Sequence, residues 1–245
     1  SVLAEEGLEL AAAFDVKNQG QDIGPLIGLA PCGILIETNL NHLLSQTPLD
    51  VMIDFTNAQA ALNNVPQVLK YHVCAVIGTT GLNHDDIARI DHIAKENQVG
   101  AFIAANFAIG AVLMMKFAQE AAKYMPNVEI IELHHDQKLD APSGTAVTTL
   151  QKIAQVRQSF KQGADQEYEK ITASRGGEYD GMRVHSVRLP GYVAHQEVIF
   201  GGLGQTLTIR HDSISRESFM PGIMLAAKKV IAWTGLVQDL ENILE

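Results

Sequence analysis

Between residues 132 and 146 the chain reads Glu-Leu-His-His-Asp-Gln-Lys-Leu-Asp-Ala-Pro-Ser-Gly-Thr-Ala. Two imidazoles, an ammonium and a Ser-Gly-Thr turn therefore crowd into one short stretch. Lys138 offers a mobile cation that can hold a carboxylate or donate a proton. His134 and His135 are adjacent, and in extended backbone they point to opposite faces, so they do not chelate one metal together. One is then placed to face a ligand while the other braces the turn. Ser143, Gly144 and Thr145 bring two hydroxyls and backbone N–H groups to a helix start, an end that attracts anions. Taken singly, these features have plainer roles, since Ser-Gly-Thr before a helix is often only a cap. Taken together they describe a site for a small anion with a proton donor beside it.

The elements that must position this stretch are legible on either side of it. The run from Val128 to Leu133 suits a strand, and Gly144 to Phe160 suits a helix. Pro142 cannot continue a strand interior but fits the approach to a helix. A strand end followed by a helix start is where α/β proteins place ligands.

Upstream, strand-like and helix-like runs alternate. Strands are expected at residues 8–14, 33–37, 50–55, 72–77 and 99–105, and helices at 39–44, 58–71, 84–97 and 110–124. This alternation predicts a parallel, doubly wound sheet. Residues 1–7 read as the tail of a helix. Downstream of the site, residues 182–188, 195–201 and 205–211 read as strands, with turns at Arg175-Gly176-Gly177 and Gly201-Gly202-Leu203-Gly204. Residues 159–169 read as a mobile polar loop. In the last strand Thr208 and Arg210 alternate outward, a pattern suited to a subunit interface. The segment from Ser218 to Leu244 reads as helical.

Composition narrows the class. The chain has 245 residues, 47% of them hydrophobic, enough for one large or two smaller domains with buried cores. A formal net charge of −10 argues against sequence-independent nucleic-acid binding, which needs a basic face. Apolar runs are broken well before membrane-span length. The two cysteines, Cys32 and Cys74, have no metal-like spacing, and a soluble cytoplasmic protein is the expectation.

The run Glu-x-His-His-x-x-Lys-x-Asp-Ala-Pro-Ser-Gly-Thr-Ala resembles the signature of the dihydrodipicolinate reductase family. Asp54-Phe55-Thr56, Gly78-Thr79-Thr80-Gly81, Ala105-Asn106-Phe107 and Arg188-Leu189-Pro190-Gly191 leading to His195 are similar to the same family, in order. The resemblance implies an α/β protein with a Rossmann-like parallel-sheet domain plus a smaller α+β domain with a mixed sheet. It places residues 1–109 and 217–245 in the dinucleotide-binding domain and 110–216 in the domain for substrate binding and oligomerisation. It implies hydride transfer from NADH or NADPH to a cyclic, unsaturated dicarboxylate on the diaminopimelate and lysine route, by a homotetramer.

On that basis His134 matches the catalytic histidine and Lys138 the proton donor. An ammonium near other cations and partly stripped of water gives up its proton more readily. His135, Ser143, Gly144 and Thr145 match the substrate-binding residues. Asp15, Gly78, Thr79, Thr80, Ala105, Asn106, Phe107 and Ala108 match the cofactor site. Asp15 stands where an acid accepts hydrogen bonds from the adenosine ribose. Its charge opposes a 2′-phosphate, and Val16 follows where some relatives carry arginine, which tilts the expectation to NADH. Lys17 could still partner a phosphate, so NADPH stays open.

One departure is visible. A first strand and a Gly-x-Gly-x-x-Gly loop should precede the acid by about twenty residues. Only fourteen residues precede Asp15, with Gly7 their single glycine, and the chain reads as lacking its natural N-terminus. Gly24, Gly28 and Gly33 lie in a Pro-containing connector and do not replace the loop. This keeps two competing readings: a nucleotide-binding or sensing module with impaired catalysis, and another two-domain amino-acid dehydrogenase. A His-based metal hydrolase is weak, since no His-x-x-x-His spacing occurs.

Overall fold

The structure, a computed structural model, describes residues 1–244 and divides into two compact units: Ser1–Phe107 with Met220 onward, and Ala108–Phe219. The first unit begins with a single 3-10 turn, Val2–Ala4, in place of the expected helix tail. Strand β1 (Ala13–Phe14) is much shorter than expected and pairs in parallel with β2 (Ile36–Glu37) as a separate two-stranded sheet. Between them lies a one-turn helix, α1 (Ile23–Leu26).

Helix α2 (Leu40–Gln46), strand β3 (Val51–Asp54), helix α3 (Ala58–Lys70), strand β4 (Cys74–Ile77), helix α4 (His84–Glu96) and strand β5 (Gly100–Ile103) then alternate as expected. Asparagine starts each helix. Asn39, Asn57 and Asn83 accept from the backbone N–H groups of the first turn, and Asn83 forms a capping box with Asp86. Strands β3, β4 and β5 pair in parallel, and β4 is buried along its whole length. Such strands lie under helices on both faces, which is why their sequences are continuously apolar. Phe14 of β1 packs with Met52 of β3 against Leu40, Leu44, Val68 and Val73, which joins the small sheet to the larger one.

The second unit opens with α5 (Ile109–Ala122) and β6 (Asn127–His134), followed by α6 (Gly144–Ala154) and four strands: β7 (Gly177–Tyr179), β8 (Met182–Arg188), β9 (Ala194–Gly202) and β10 (Gln205–Ser213). Helix α6 ends six residues before the predicted boundary. Strand β7 begins inside the expected Arg175-Gly176-Gly177 turn. The sheet order is β10-β9-β6-β8-β7; β6 and β8 are parallel and every other pair is antiparallel. Val128, Ile130 and Glu132 alternate inward along the central strand β6 and are all buried. Helix α5 packs on β9 and β10 and against α6. The edge strand β10 is exposed on both faces through Gln205–Thr208, so the predicted in-out alternation does not hold over that half.

The last segment departs most from the sequence reading. Helix α7 (Met220–Lys229) ends early, and β11 (Gly235–Gln238) adds a fourth parallel strand beside β5 in the first unit. Gly235 supplies the left-handed backbone, at φ 88°, that turns the chain into the strand. Three bonds seat it: Gly235 N–H to the Val99 carbonyl at 2.9 Å, Leu236 N–H to Asp91 at 2.9 Å and Trp233 Nε1 to the Ala101 carbonyl at 3.2 Å. No helix among the described residues is long and apolar enough to cross a membrane.

Candidate functional site

At the end of β6, Glu132 and His134 fall on the same face because strand side chains repeat every second residue. Glu132 has no solvent exposure. It accepts a two-pronged contact from Arg188 at the end of β8, NH2 to Oε1 at 2.7 Å and NH1 to Oε2 at 3.0 Å. Its Oε2 also meets His134 Nδ1. Burial alone would push the Glu132 carboxyl up, but hydrogen bonds from His134, Arg188 and Ser186 outweigh it and hold the group at about 2. Glu132 is therefore an anion at any physiological pH.

Beyond His134 the chain leaves the ladder. His135 is exposed, and its carbonyl accepts from Lys138 N–H at 3.2 Å, closing a turn. The pair expected to point to opposite faces thus divides otherwise: His134 ends the strand and His135 starts the loop. Lys138 is partly buried, and its Nζ donates to Asp140 at 2.7 Å. The partner of Lys138 is thus a carboxylate, and the guanidinium of Arg188 also lies close to that carboxylate. The bond to Lys138 in turn holds the Asp140 carboxyl below its ordinary range. The Asp140 carbonyl accepts from Arg188 NH2 at 2.8 Å, tying the loop back to the sheet.

The loop passes through a cis Ala141–Pro142 peptide and delivers Ser143 as the cap of α6. The buried Ser143 hydroxyl accepts from Ala146 N–H at 3.2 Å. Gly144 is exposed, and a Cβ built on it would meet nothing within 4 Å. Protein packing therefore does not require glycine there, and the space in front of the helix start is open. The first turn is pinned from below: Gln196 of β9 donates to Thr149 at 2.8 Å, and Thr149 donates to the Thr145 carbonyl at 2.7 Å. His134, Lys138, Ser143, Gly144 and Thr145 thus sit on one strand end, one short loop and one helix start.

The residues matched to a cofactor site lie in the first unit, apart from Ala108. Asp15 follows β1, is exposed, and accepts from Lys17 N–H at 2.8 Å. Gly78, Thr79 and Thr80 follow β4, and Ala105, Asn106 and Phe107 follow β5, so both groups stand at carboxyl ends of parallel strands. Ala108 caps α5 without a side-chain bond. Thr79 is buried and donates to Asp54, which also accepts from Thr56 Oγ1 at 2.9 Å. Phe55 lies on Gly78 so closely that a Cβ there would come within 2.2 Å of its ring. The Phe55 ring also meets Phe107, with centroids 5.7 Å apart, and is 53% exposed.

Three site residues carried no role in the sequence reading: Glu132, Arg188 and Asp54. A signal existed for the first. Glu132 is an acid on the inward face of a strand, between Ile130 and His134, and a buried charge demands partners. Nothing in the sequence specified that Arg188, 56 residues away, is that partner.

A family profile described as "Dihydrodipicolinate reductase, N-terminus" matches residues 1–107, and its companion, "Dihydrodipicolinate reductase, C-terminus", matches residues 110–244. The chain belongs to the dihydrodipicolinate reductase family. A 4-hydroxy-tetrahydrodipicolinate reductase of Desulfitobacterium hafniense (strain DSM 10664 / DCB-2) is 58% identical over 246 residues, covering 100% of this chain and 92% of that protein. The enzyme of that name from Syntrophomonas wolfei subsp. wolfei is 53% identical, with the same coverage of both chains. Among solved structures, a dipicolinate-bound dihydrodipicolinate reductase from Paenisporosarcina sp. TG-14 superposes with a TM-score of 0.88. It is 46% identical and covers 99% of this chain and 92% of that one. An amine dehydrogenase from Mycobacterium smegmatis, 16% identical with a TM-score of 0.62 and covering 95% and 88%, shares the fold alone. The expected fold class, a Rossmann-like parallel sheet plus a mixed sheet, is the one observed.

The ionised state of Glu132 has a measurable consequence. Its folded value of about 2 lies below the ordinary 4.5, so its stabilisation is fully present above pH 4.5 and is lost as pH falls toward 2. That contribution is on the order of 3 kcal/mol. Urea unfolding of wild type and Glu132→Gln should differ by this amount at pH 6, and the gap should narrow as pH falls below 4.5. A gap independent of pH would show that the carboxylate charge does not stabilise the fold.

Proposed function

We infer that this chain takes 4-hydroxy-tetrahydrodipicolinate, which loses its hydroxyl as water to give dihydrodipicolinate, on to tetrahydrodipicolinate with a hydride from NADH or NADPH, on the diaminopimelate route to lysine. The observation that carries this reading is the grouping of His134, Lys138 and the Ser143-Gly144-Thr145 helix start in a chain 58% identical to a reductase of that name. Dipicolinate, bound by the Paenisporosarcina relative, is a planar ring with two carboxylates. A helix start with open space at Gly144 suits one carboxylate, and His135 reaches the same ligand from the loop. Nothing in the structure favours the amino-acid dehydrogenase or the non-catalytic module.

The first unit fits a nicotinamide cofactor. A half-exposed phenyl ring, Phe55, and the Gly78–Thr80 turn at the carboxyl ends of β3 and β4 offer a flat surface and close backbone for a heteroaromatic ring. The cofactor supplies the hydride. We assign the nucleotide to this unit and the dicarboxylate to the second.

Reduction adds one hydride and one proton across the conjugated ring. As negative charge builds on the ring, His134 stabilises it through the nitrogen that does not face Glu132. Lys138 then transfers a proton from its ammonium to the carbon that carries the charge, becoming a neutral amine until water reprotonates it. Release from Asp140 frees the ammonium for this. The two carboxylates, held by His135 and the Ser143-Gly144-Thr145 turn, keep the reacting carbon within reach.

Asp15 accepts hydrogen bonds from a ribose diol and repels a 2′-phosphate, and Val16 beside it is 79% exposed and uncharged. NADH is therefore the better cofactor. The sheet face bearing Glu197, Arg210 and Asp212, which form an exposed ion-pair network, and the open edge strand β10 supply the contact surface of a homotetramer. Cys32 and Cys74 are both free thiols, which suits a reducing cytoplasm.

Three measurements test this reading. Lys138→Ala should lower kcat by about 100-fold or more while dipicolinate affinity changes far less; unchanged turnover removes Lys138 as the proton donor. Steady-state rates should give a higher kcat/KM with NADH than with NADPH, and a strong NADPH preference contradicts the role given to Asp15. Light scattering should return the mass of four chains, and a monomer at micromolar concentration contradicts the assembly.

A further inference from the structure

Glu132 is sealed from solvent, and among the bonds that it and Arg188 make are one to His134 and one to the loop that carries Lys138. Both Glu132 oxygens are occupied: Oε1 by Arg188 NH2, and Oε2 by Arg188 NH1 and His134 Nδ1. An ionised carboxylate can only accept, so the ring atom facing it must carry the hydrogen. His134 is thereby fixed with Nδ1 protonated, which leaves Nε2 as the atom available to a ligand.

Arg188 divides its hydrogens between two jobs. NH1 and NH2 grip Glu132, NH1 also reaches the Val187 carbonyl at 2.8 Å, and NH2 donates to the Asp140 carbonyl. Asp140 is the residue whose side chain holds Lys138. One guanidinium therefore sets the strand that carries His134 and the loop that carries Lys138 relative to each other. Much of what this ion pair gains by attraction offsets the cost of taking its charges out of water, with Glu132 fully buried and the Arg188 side chain 18% exposed. What it does provide is geometry: a planar fork matched to a carboxylate admits one arrangement.

We propose that Glu132 and Arg188 are positioning residues for the reduction, Glu132 by holding the His134 ring with Nε2 outward and Arg188 by fixing the Lys138 loop through the Asp140 carbonyl. The proposal rests on the roles given above to His134 and Lys138.

The test combines NMR with mutant cycles in the full-length protein. In 15N-histidine-labelled wild type, the His134 resonance, assigned by its loss in His134→Ala, should report a protonated Nδ1. Glu132→Gln should lower kcat by about 10- to 100-fold, with dipicolinate affinity within about threefold of wild type. In a His134→Ala background the same change should cost less than about twofold more, because the ring it positions is gone. Arg188→Lys, which keeps the charge but loses the fork, should lower kcat/KM by about tenfold, and by much less in a Lys138→Ala background. Losses that simply multiply in the double variants would overturn the proposal, as would an Nε2–H tautomer in wild type. Should Glu132→Gln fail to fold, the wild-type tautomer and the Arg188→Lys cycle decide alone. A wild type that binds dipicolinate with the expected tautomer but shows no reductase activity would sink the functional reading and leave the His134 orientation standing.

Discussion

A carboxylate sealed from solvent survives only where donors replace the water it has lost. Glu132 meets that condition with a guanidinium, an imidazole and a serine hydroxyl. The constraint reaches outward in every direction. It requires β6 and β8 to run in parallel at a register that brings Arg188 beside the acid. It fixes which nitrogen of His134 is turned away. Through the second hydrogen of the guanidinium it also anchors the loop that leads to α6. The strand end that carries His134 and the loop that carries Lys138 are both tied to this one pair.

The order of strands in the first unit was readable because buried parallel strands are continuous apolar runs and the helices between them carry asparagine caps. Gly144 as a helix start was readable too, since Ser143 followed by a periodic apolar run is a cap signature. The returning strand β11 was not. Four residues, Gly235-Leu236-Val237-Gln238, carry no period that separates strand from helix, and what decides their state is the vacant edge of β5. In the same way β1 shrank to two residues, because its apolar run has only Ile36 and Glu37 to pair with.

The site itself was half legible. His134 and Lys138 announce themselves by type, and Ser143 by position. The partner of Lys138 was not legible, because a sequence shows which charges are near in number, not which lie within hydrogen-bond reach. Arg188 could be quoted as part of a motif without its task being visible, since a contact spanning 56 residues is a product of sheet topology. Asp54 is the parallel case in the first unit. It lies within the strand expected at 50–55, and its work of holding Thr79 and Thr56 emerges only when β3 and β4 lie side by side.

The second unit is an insertion between β5 and β11, the strand that pairs beside it. During synthesis on the ribosome, residues 108–219 therefore emerge in full while the parallel sheet before them still has an open edge. That edge of β5 is covered only when residues 235–238 arrive, after the whole of the second unit has been made. The chain's one tryptophan, Trp233, sits at that closing seam. Its fluorescence is a natural reporter of when the seam is shut.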